Sequence, residues 1–285
     1  MRKYLLALLA NALLLLSLSC TAQESPIRLI VRGDDMGFSH SGNLALIKCF
    51  KEGIERSIEV IVPSPWFPEA VKLLAEHPTV DVGIHLALTS EWDNVKWRPL
   101  TYAPSLTDSS GYFYPKIWAD AKYPNGALLQ HAWQLGEVEK EFRAQIELAL
   151  KKIPRISHIS AHMGCTYMSP EVSALAKKLA REYGIDIDLE ALGVKGVNFI
   201  GAHGTLAEKK KSFSAMLQSL QPGGTYMFLE HPGLNDAELQ AIHHIGYENV
   251  AADRQGVTDL WTDPAIKALI RERKIQLISY ADLKR

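Results

Sequence analysis

Short apolar runs alternate with longer amphipathic segments along most of the chain, and this alternation constrains the fold more than any other feature. Residues 27–31 form an apolar run of strand length, and residues 43–52 carry apolar side chains at helical spacing. The strand–helix unit recurs about seven times within one domain length. The sequence therefore predicts an α/β fold in which helices cover parallel strands. An open sheet and a closed barrel both fit, and the number of repeats favours the barrel.

The predicted elements follow from β-branched runs, helical spacing and the positions of Gly and Pro. Strands are predicted over residues 27–31, 58–62, 80–88, 155–160, 197–200, 226–230 and 276–279. Helices are predicted over residues 43–52, 68–77, 133–152 and 170–183. In parallel α/β barrels the catalytic groups lie where strands end and loops begin. Polar residues at the carboxyl ends of these strands are therefore the candidates for a functional site.

The segment 1–22 has the pattern of an export signal. A basic pair precedes an apolar run over residues 5–18, which is shorter than the roughly 20 residues a spanning helix needs. Cys20 stands where a lipoprotein signal places its lipidated cysteine, and simple cleavage near Ala22 or Gln23 is the alternative. Either interpretation exports the protein to the periplasm or the cell surface, and leaves residues 26–285 as one barrel domain.

Composition excludes several classes of protein. The chain is 47% hydrophobic and 22% charged, fractions typical of globular rather than disordered proteins. Its 31 basic and 32 acidic residues give a formal net charge of −1, so no basic excess indicates a nucleic-acid partner. Cys49 and Cys165 remain once the leader is removed. We expect two separate buried thiols, with a single disulfide bridge as the alternative.

The first predicted strand runs into the sequence Gly-Asp-Asp-Met-Gly at residues 33–37. Successive strand residues point to opposite faces, so we expect the carboxylates of Asp34 and Asp35 to point in different directions. One of them can then bind a cation while the other handles protons. The alternative is a plain turn, because Asp and Gly are common turn formers.

Three other predicted strands carry a histidine near the carboxyl end, namely His85, His162 and His231. His158 precedes His162 on the same extended segment, at a separation of roughly 13 Å. That separation is too large for one metal ion, so we interpret His162 as a ligand and His158 as a supporting or structural residue. A lone histidine at any one of these positions is more often a hydrogen-bonded core residue.

These polar groups are more informative as a set, because they come from the ends of four separate predicted strands. The set comprises Asp34, Asp35, His85, His162 and His231. One carboxylate and two imidazoles, with positions left open to water, form a recurrent catalytic metal site. The second carboxylate and the third imidazole are then free to act as base and acid. The sequence therefore predicts a catalytic metal centre at the carboxyl edge of the sheet.

The same segments resemble the successive signatures of the YdjC-type carbohydrate deacetylases, a polysaccharide deacetylase-like family. The matching segments are residues 33–37 with Asn43 downstream, 83–89, 157–162, 231–233 and 279–282. The resemblance spans about residues 27–285, essentially the whole mature chain. It implies a distorted, TIM-barrel-like (β/α) barrel that removes acetyl groups from N-acetylated sugars or oligosaccharides. It also implies one divalent metal ion, zinc or magnesium, as cofactor.

Carried over by motif, the resemblance implies a role for each residue of the set. Asp35, His85 and His162 would hold the metal, Asp34 would be the base, and His231 would be the acid. Amide hydrolysis fits these roles. A metal polarises the carbonyl, the base takes a proton from water, and the acid protonates the departing sugar amine.

Two positions depart from the family pattern. Met36 stands where the family usually has Phe, which is a mild change. Ser160 and Ala161 stand where the family usually has Asp-Ser before the ligand histidine. The second exchange removes a carboxylate beside the expected metal ligands. It affects which groups hydrogen-bond to those ligands and which substrates the site accepts.

The segment 92–133 is rich in aromatic residues and turn formers, and it follows the predicted strand that contains His85. Flat aromatic faces suit the apolar faces of sugar rings, and a guanidinium group can bind a hydroxyl or a charged group. We therefore predict Trp92, Trp97 and Arg98 as substrate-binding residues. The alternative is that the rings pack this long loop against the barrel.

Two other functions are alternatives to deacetylation. A different metal-dependent hydrolase, such as a phosphoesterase, could use the same barrel, because fold alone does not fix chemistry. It would need a basic, phosphate-binding pocket, whereas Arg98 is the notable cation near these motifs. A non-catalytic glycan-binding surface lipoprotein would need neither the paired Asp34 and Asp35 nor His231. The expected partner is an acetylated saccharide, with membrane contact only through the N-terminal anchor.

Overall fold

One sheet of seven strands forms the centre of the computed structural model, which describes residues 25–284. The strands are β1 Ile27–Met36, β2 Ser57–Val60, β3 Asp81–Leu86, β4 His158–Ala161, β5 Lys195–Gly196, β6 Thr225–Glu230 and β7 Ile275–Ile278. All pairings between these strands are parallel. Parallel strands covered on both faces read as near-continuous apolar runs, which is why the sequence predicts them well.

Eight α-helices connect and cover the strands within residues 25–284. They are α1 His40–Glu52, α2 Phe67–Glu76, α3 Leu135–Lys152, α4 Pro170–Glu182, α5 Leu206–Ser219, α6 Ala237–Gln240, α7 Val250–Thr262 and α8 Pro264–Glu272. Local capping starts several of them: the side chains of Ser39, Ser169 and Asp263 accept backbone N–H groups in the first turns of α1, α4 and α8. The apolar faces of the helices enclose buried clusters against the sheet.

The strand order is β4-β3-β2-β1-β6-β5, with β7 beside β1. β7 pairs with residues 27–30 of β1, whereas β2 pairs with residues 32–36. Within the described residues, β4 and β5 end the sheet and do not pair with each other. The sheet therefore curls into a half-barrel. The prediction of a distorted (β/α) barrel with about seven parallel strands is confirmed.

A cavity of about 850 Å³ lies at the open side of the half-barrel. Its walls come from β4, β6, α4 and the segment 185–196. Arg32, Ser160 and Tyr280 also line it. Side chains that point into the barrel therefore border this lateral opening.

The predicted strand over residues 197–200 is wrong. β5 ends before it and has only two residues, both exposed. Phe199 instead packs edge-on against Phe213 and Phe228, with ring centroids 6.3 and 5.1 Å away. Phe199 is thus packed against a ring of α5 and a ring of β6, outside any strand.

Cys49 and Cys165 are buried and unpaired, as predicted. No helix within residues 25–284 combines the length and the apolar character that a membrane crossing requires. The predicted signal segment, residues 1–22 with Cys20, lies outside the described residues.

Candidate metal centre

β1 carries both aspartates at its carboxyl end, where its pairing with β2 becomes irregular. The register shifts between Gly33 and Met36, and Asp35 has a left-handed backbone with a φ of 73°. Asp is one of the few residues that tolerate this conformation. Both carboxylates consequently approach Nε2 of His85, at 3.7 Å for Asp34 Oδ2 and 3.6 Å for Asp35 Oδ1. The expectation that Asp34 and Asp35 point in different directions is wrong, because the shifted register turns the second carboxylate toward the first.

Asp35, His85 and His162 bring three potential ligand atoms together. These atoms lie within 4.8 Å of one another, and all three residues are buried. Oδ1 of Asp35 is 3.6 Å from Nε2 of His85 and 3.2 Å from Nδ1 of His162. Among the described residues no donor meets this oxygen in good hydrogen-bond geometry, and its neighbours are the two imidazole nitrogens. A proton on His162 or a cation between the three groups would satisfy it, so the set fits a metal ion that takes the place of that proton.

The two imidazoles of this set differ in charge. Burial lowers the pKa of His85 to about 4, in spite of the nearby Asp34 and Asp35 carboxylates. His85 is therefore neutral near pH 7 and keeps a lone pair for a metal. Burial also opposes the charge of His162, but Glu91 and Asp35 outweigh it and raise its pKa to about 10. A cation bound between Asp35 and His162 therefore replaces a proton.

Glu91 supports His162 from the side away from Asp35. Nε2 of His162 lies 3.0 Å from Oε2 of Glu91, while Nδ1 faces Asp35. Metal-binding histidines commonly place their second nitrogen against a carboxylate in this way. The sequence alone does not single out Glu91; its one signal is an acidic residue shortly after the strand that carries His85.

Asp34 is held by an arginine from its own strand. Nε and Nη2 of Arg32 donate to its two carboxylate oxygens at 2.7 and 2.8 Å. The third group of the same guanidinium, Nη1, donates to the Tyr280 hydroxyl at 2.8 Å. Positions 32 and 34 share one face of β1, so the guanidinium meets the carboxylate as a two-pronged fork. Asp34 is thereby fixed beside His85.

His231 follows β6 and approaches the other oxygen of Asp35. Its Nε2 is 3.9 Å from Asp35 Oδ2, and its Nδ1 is 3.6 Å from Glu230 Oε2. Burial opposes the imidazolium charge, but Asp35 and Glu230 outweigh it and raise the pKa of His231. Its side chain is 34% exposed. A protonated imidazole at the rim of the site is suited to give a proton to a leaving group.

Arg254 on α7 completes the surroundings of Asp35, and no sequence motif indicates it. Its Nη2 donates to Asp35 Oδ2 at 2.8 Å. Its guanidinium carbon lies 4.7 Å from the Phe38 ring centroid and 5.2 Å from that of Trp92. Burial alone would raise the pKa of Asp35, but His231 and Arg254 hold it well below its usual range. Asp35 is therefore an ionised carboxylate.

The predicted substrate residues differ in exposure. The side chains of Trp92 and Trp97 are in the core, at 2% and 3% exposure, and Trp92 stacks on Phe38. Arg98 is exposed, and its guanidinium covers the ring of Tyr112 at 4.7 Å. A buried ring offers no face to a sugar. For Trp92 and Trp97 the structure therefore favours the alternative, in which the rings pack the long loop against the barrel.

Trp118, from the same aromatic segment, is a half-exposed ring beside the ligand loop. It is 48% exposed, and its edge lies against Gly164, where an added Cβ would be 2.9 Å from the indole. Gly164 has a φ of 69° and stands two residues after His162. An open aromatic face therefore lies next to the loop that carries a metal ligand.

Known proteins match nearly the whole described chain. A family model described as YdjC-like protein matches residues 28–272. A carbohydrate deacetylase from Brevibacillus brevis is 27% identical over 274 residues, covering 90% of this chain and 100% of that protein. A carbohydrate deacetylase from Thermus thermophilus is 31% identical over 235 residues, covering 75% of this chain and 80% of that protein.

The half-barrel also has a counterpart among solved structures. A crystal structure of a proposed cellobiose-phosphate cleavage protein from Enterococcus faecalis superposes with a TM-score of 0.70. The two sequences are 24% identical, and the match covers 91% of this chain and 99% of that chain. This likeness concerns the fold.

Proposed function

The chain belongs to the YdjC-like family, and on that premise we propose that it is a metal-dependent carbohydrate deacetylase. The reaction is hydrolysis of the acetamido group of an N-acetylated sugar or oligosaccharide, with release of acetate. The observation that carries the proposal is the convergence of a ligand set with a candidate base and acid. The groups are Asp35, His85, His162, Asp34 and His231. Amide hydrolysis needs these three kinds of group in one place.

The ligand set indicates the kind of ion. One carboxylate and two imidazoles suit zinc and related transition ions, whereas magnesium prefers oxygen ligands. When bound by Asp35, His85 and His162, such an ion supplies Lewis acidity toward the amide carbonyl and water. The neutral state of His85 and the ionised state of Asp35 match what a metal ligand must be.

Asp34 and His231 divide the proton transfers between them. Asp34 receives the proton of the attacking water, and the Arg32 fork keeps its carboxylate in place while that proton arrives. Asp35 and Glu230 raise the pKa of His231, which favours the protonated ring, and that ring donates a proton to the departing sugar amine. The partial exposure of His231 suits contact with a leaving group that must return to solvent.

Trp118 supports the sugar in this proposal, because its indole is open to solvent and Trp92 and Trp97 are not. Trp118→Ala is expected to raise KM about 5-fold, the equivalent of burying roughly 40 Å² of apolar surface at about 25 cal/mol per Å², and to leave the zinc content unchanged. Tyr102→Ala removes another exposed ring of the same segment and is the matched control. An unchanged KM in Trp118→Ala would place the sugar elsewhere.

Acetate release from a panel of N-acetylated mono- and oligosaccharides tests the function. We expect release that a chelator abolishes and added zinc restores. The same panel should include sugar phosphates, because phosphate release without acetate release would indicate a phosphoesterase. Glycan binding without release of either product would indicate a non-catalytic binding protein, and would overturn the proposal.

We also propose that the mature protein is exported. The support is the sequence of residues 1–22, with its basic start, short apolar run and Cys20. Cell fractionation and intact mass of the mature chain test this. Cleavage with a lipid on Cys20 increases the mass and is lost in Cys20→Ala, whereas simple cleavage near Ala22 gives the bare chain. Full-length protein in the cytoplasm would refute export.

A further inference from the structure

The second ring nitrogen of His85 enters a chain of hydrogen bonds. Nδ1 of His85 lies 2.7 Å from Oγ of Ser160, its register partner on β4. Oγ of Ser160 in turn donates to Oε2 of Glu59 on β2. A single hydroxyl therefore links the imidazole to a carboxylate that is fully buried.

The one hydroxyl proton of Ser160 fixes the direction of this chain. It has two acceptors within reach, the Glu59 carboxylate and the Ile84 carbonyl at 3.4 Å, and the charged acceptor is the closer one. Because the proton goes to Glu59, Oγ is left to accept from His85. His85 then carries its proton on Nδ1, and its Nε2 lone pair faces Asp35, 3.6 Å away.

Glu59 is itself held from the other side. Its Oε1 lies 2.6 Å from Nε2 of His158, whose ring stacks on Tyr280 with centroids 3.5 Å apart. Gly83 on β3 leaves room for this pair, because a Cβ at that position would overlap the Glu59 carboxylate. The chain of hydrogen bonds from His85 therefore ends on a fixed group.

Each of the two ligand histidines is therefore supported by a carboxylate through hydrogen bonds. Glu91 contacts the ring of His162 directly, and Glu59 reaches the ring of His85 through Ser160. We propose that Glu59 is a positioning residue of the metal centre, which holds His85 as the Nδ1–H tautomer with Nε2 directed at the ion. This inference rests on the proposed metal site. It also explains how Ser160 can stand where the family usually has Asp.

Three variants and a control separate this role from simple packing. Ser160→Ala cuts the chain at the hydroxyl, and Glu59→Gln removes the charge at nearly constant size. Glu59→Gln combined with Ser160→Asp moves the carboxylate to β4, where it can accept directly from His85. Ser212→Ala is the matched control, because Ser212 is also buried but lies on α5 and donates to the Ala202 carbonyl.

Two measurements on the purified full chain need no substrate. One is zinc affinity by competition with a chelator, and the other is the tautomer of His85 by ¹⁵N NMR of the metal-free protein. Ser160→Ala and Glu59→Gln should each weaken zinc binding about 10–100-fold and leave His85 as a mixture of tautomers. The combined variant should regain the Nδ1–H form and most of the lost affinity. Ser212→Ala should match the unsubstituted protein in both measurements.

Unchanged zinc affinity and an unchanged His85 tautomer in Ser160→Ala would overturn the inference. An equal loss in Ser212→Ala would also overturn it, because the effect would then be one of packing. A combined variant that recovers neither property would also count against the inference, because a carboxylate that accepts directly from His85 would then fix neither the tautomer nor the zinc affinity. The tautomer is read without metal or substrate, so a failure to bind zinc or release acetate would refute the proposed function and leave this test decisive.

Discussion

Asp34 and Asp35 are neighbours in sequence but differ in how their oxygens are satisfied. Both oxygens of Asp34 accept hydrogen bonds from Arg32, whereas Asp35 accepts one from Arg254 on a single oxygen. The free Oδ1 of Asp35 is the atom that faces His85 and His162, so it is the one available to a cation. The hydrogen bonds therefore support Asp35 as the ligand and Asp34 as the base.

Asp34→Asn is expected to keep the metal and lose turnover. The amide has the same shape and its oxygen can still accept from Arg32, but it cannot take a proton from water. General-base catalysis contributes about 10²–10⁴-fold, so acetate release should fall by that factor while zinc per chain, measured by mass spectrometry, stays constant. The matched control is Asp35→Asn, which should lose zinc itself. Normal turnover by Asp34→Asn would exclude Asp34 as the base.

Glu55 is a buried carboxyl group outside the site, and neither of its oxygens has a hydrogen-bond partner among the described residues. Burial, and then the charge of Asp34, raise its pKa well above the usual range. The native state therefore binds this proton more tightly than the unfolded chain does. The stability contributed by this proton is full below about pH 4.3, the ordinary pKa of Glu, and is lost as the pH rises toward the raised pKa.

Glu55→Gln is expected to stabilise the protein increasingly from about pH 5 to pH 8, because the amide is neutral throughout. Urea unfolding at several pH values measures the difference in the free energy of unfolding. Glu141→Gln is the control, since Glu141 is equally buried but accepts hydrogen bonds from Leu100, Thr101 and Gln145. It should lose about 1 kcal/mol or more. A Glu55→Gln difference that does not grow with pH would contradict the prediction.

Strands buried on both faces were predictable from the sequence. The runs over residues 58–62 and 80–88 predicted β2 and β3, because a parallel strand between helix layers is apolar along most of its length. The helices α3 and α4 were predictable from apolar residues at a spacing of 3.6. The apolar pattern that predicts each of these elements lies within its own residues, so the prediction needs no knowledge of distant neighbours.

Elements whose residues contact partners far away in the sequence were not predictable. α7 has the buried Arg254 and Gly256 in its middle, which interrupts the apolar pattern. The partner of Arg254 is Asp35, 219 positions away in the sequence. β5 was not predictable either, because two exposed residues show no alternation or apolar run typical of a strand.

The same division holds within the candidate site. The rule that functional groups lie at strand ends brings together the three ligand-type residues and their two polar neighbours, which the structure places close to one another. That rule does not find Glu91 and Arg254, because only the folded chain shows what they contact. Glu59 did leave one signal, a single acidic residue inside a β-branched run, where a buried charge requires a partner.

Gly83→Ala is expected to disturb the site from the middle of β3, because its Cβ would overlap the Glu59 carboxylate. We expect a loss of about 1–3 kcal/mol in stability from this overpacking, together with weaker zinc binding. Gly136→Ala on α3 is the matched control, since an added Cβ there meets nothing within 4 Å. It should be neutral or gain up to about 1 kcal/mol. Equal unfolding free energies and zinc affinities for the two variants would refute the role of Gly83.

At the scale of the whole molecule, the ligands join β1 to two strands, β3 and β4, with which it does not pair. They come from β1, from β3 and from the residue just after β4, and β2 lies between β1 and β3. Within the described residues the only strand that pairs with β4 is β3, and the other side of β4 makes one isolated bridge, from His158 to Asp186. A bound ion would therefore tie the free edge of the sheet at His162 to its centre at Asp35.

Metal removal is expected to lower the melting temperature as well as to abolish acetate release. An ion at 100 times its Kd stabilises the native state by about 2.7 kcal/mol, which for a chain of this size raises Tm by about 5 °C. Calorimetry of chelator-treated protein, before and after zinc is restored, measures the shift. Asp35→Asn should melt at one temperature with and without zinc, because its remaining ligands cannot join β1 to β4. A zinc-dependent rise of equal size in Asp35→Asn would mean that the ion binds at another place and leaves the strand edge untied.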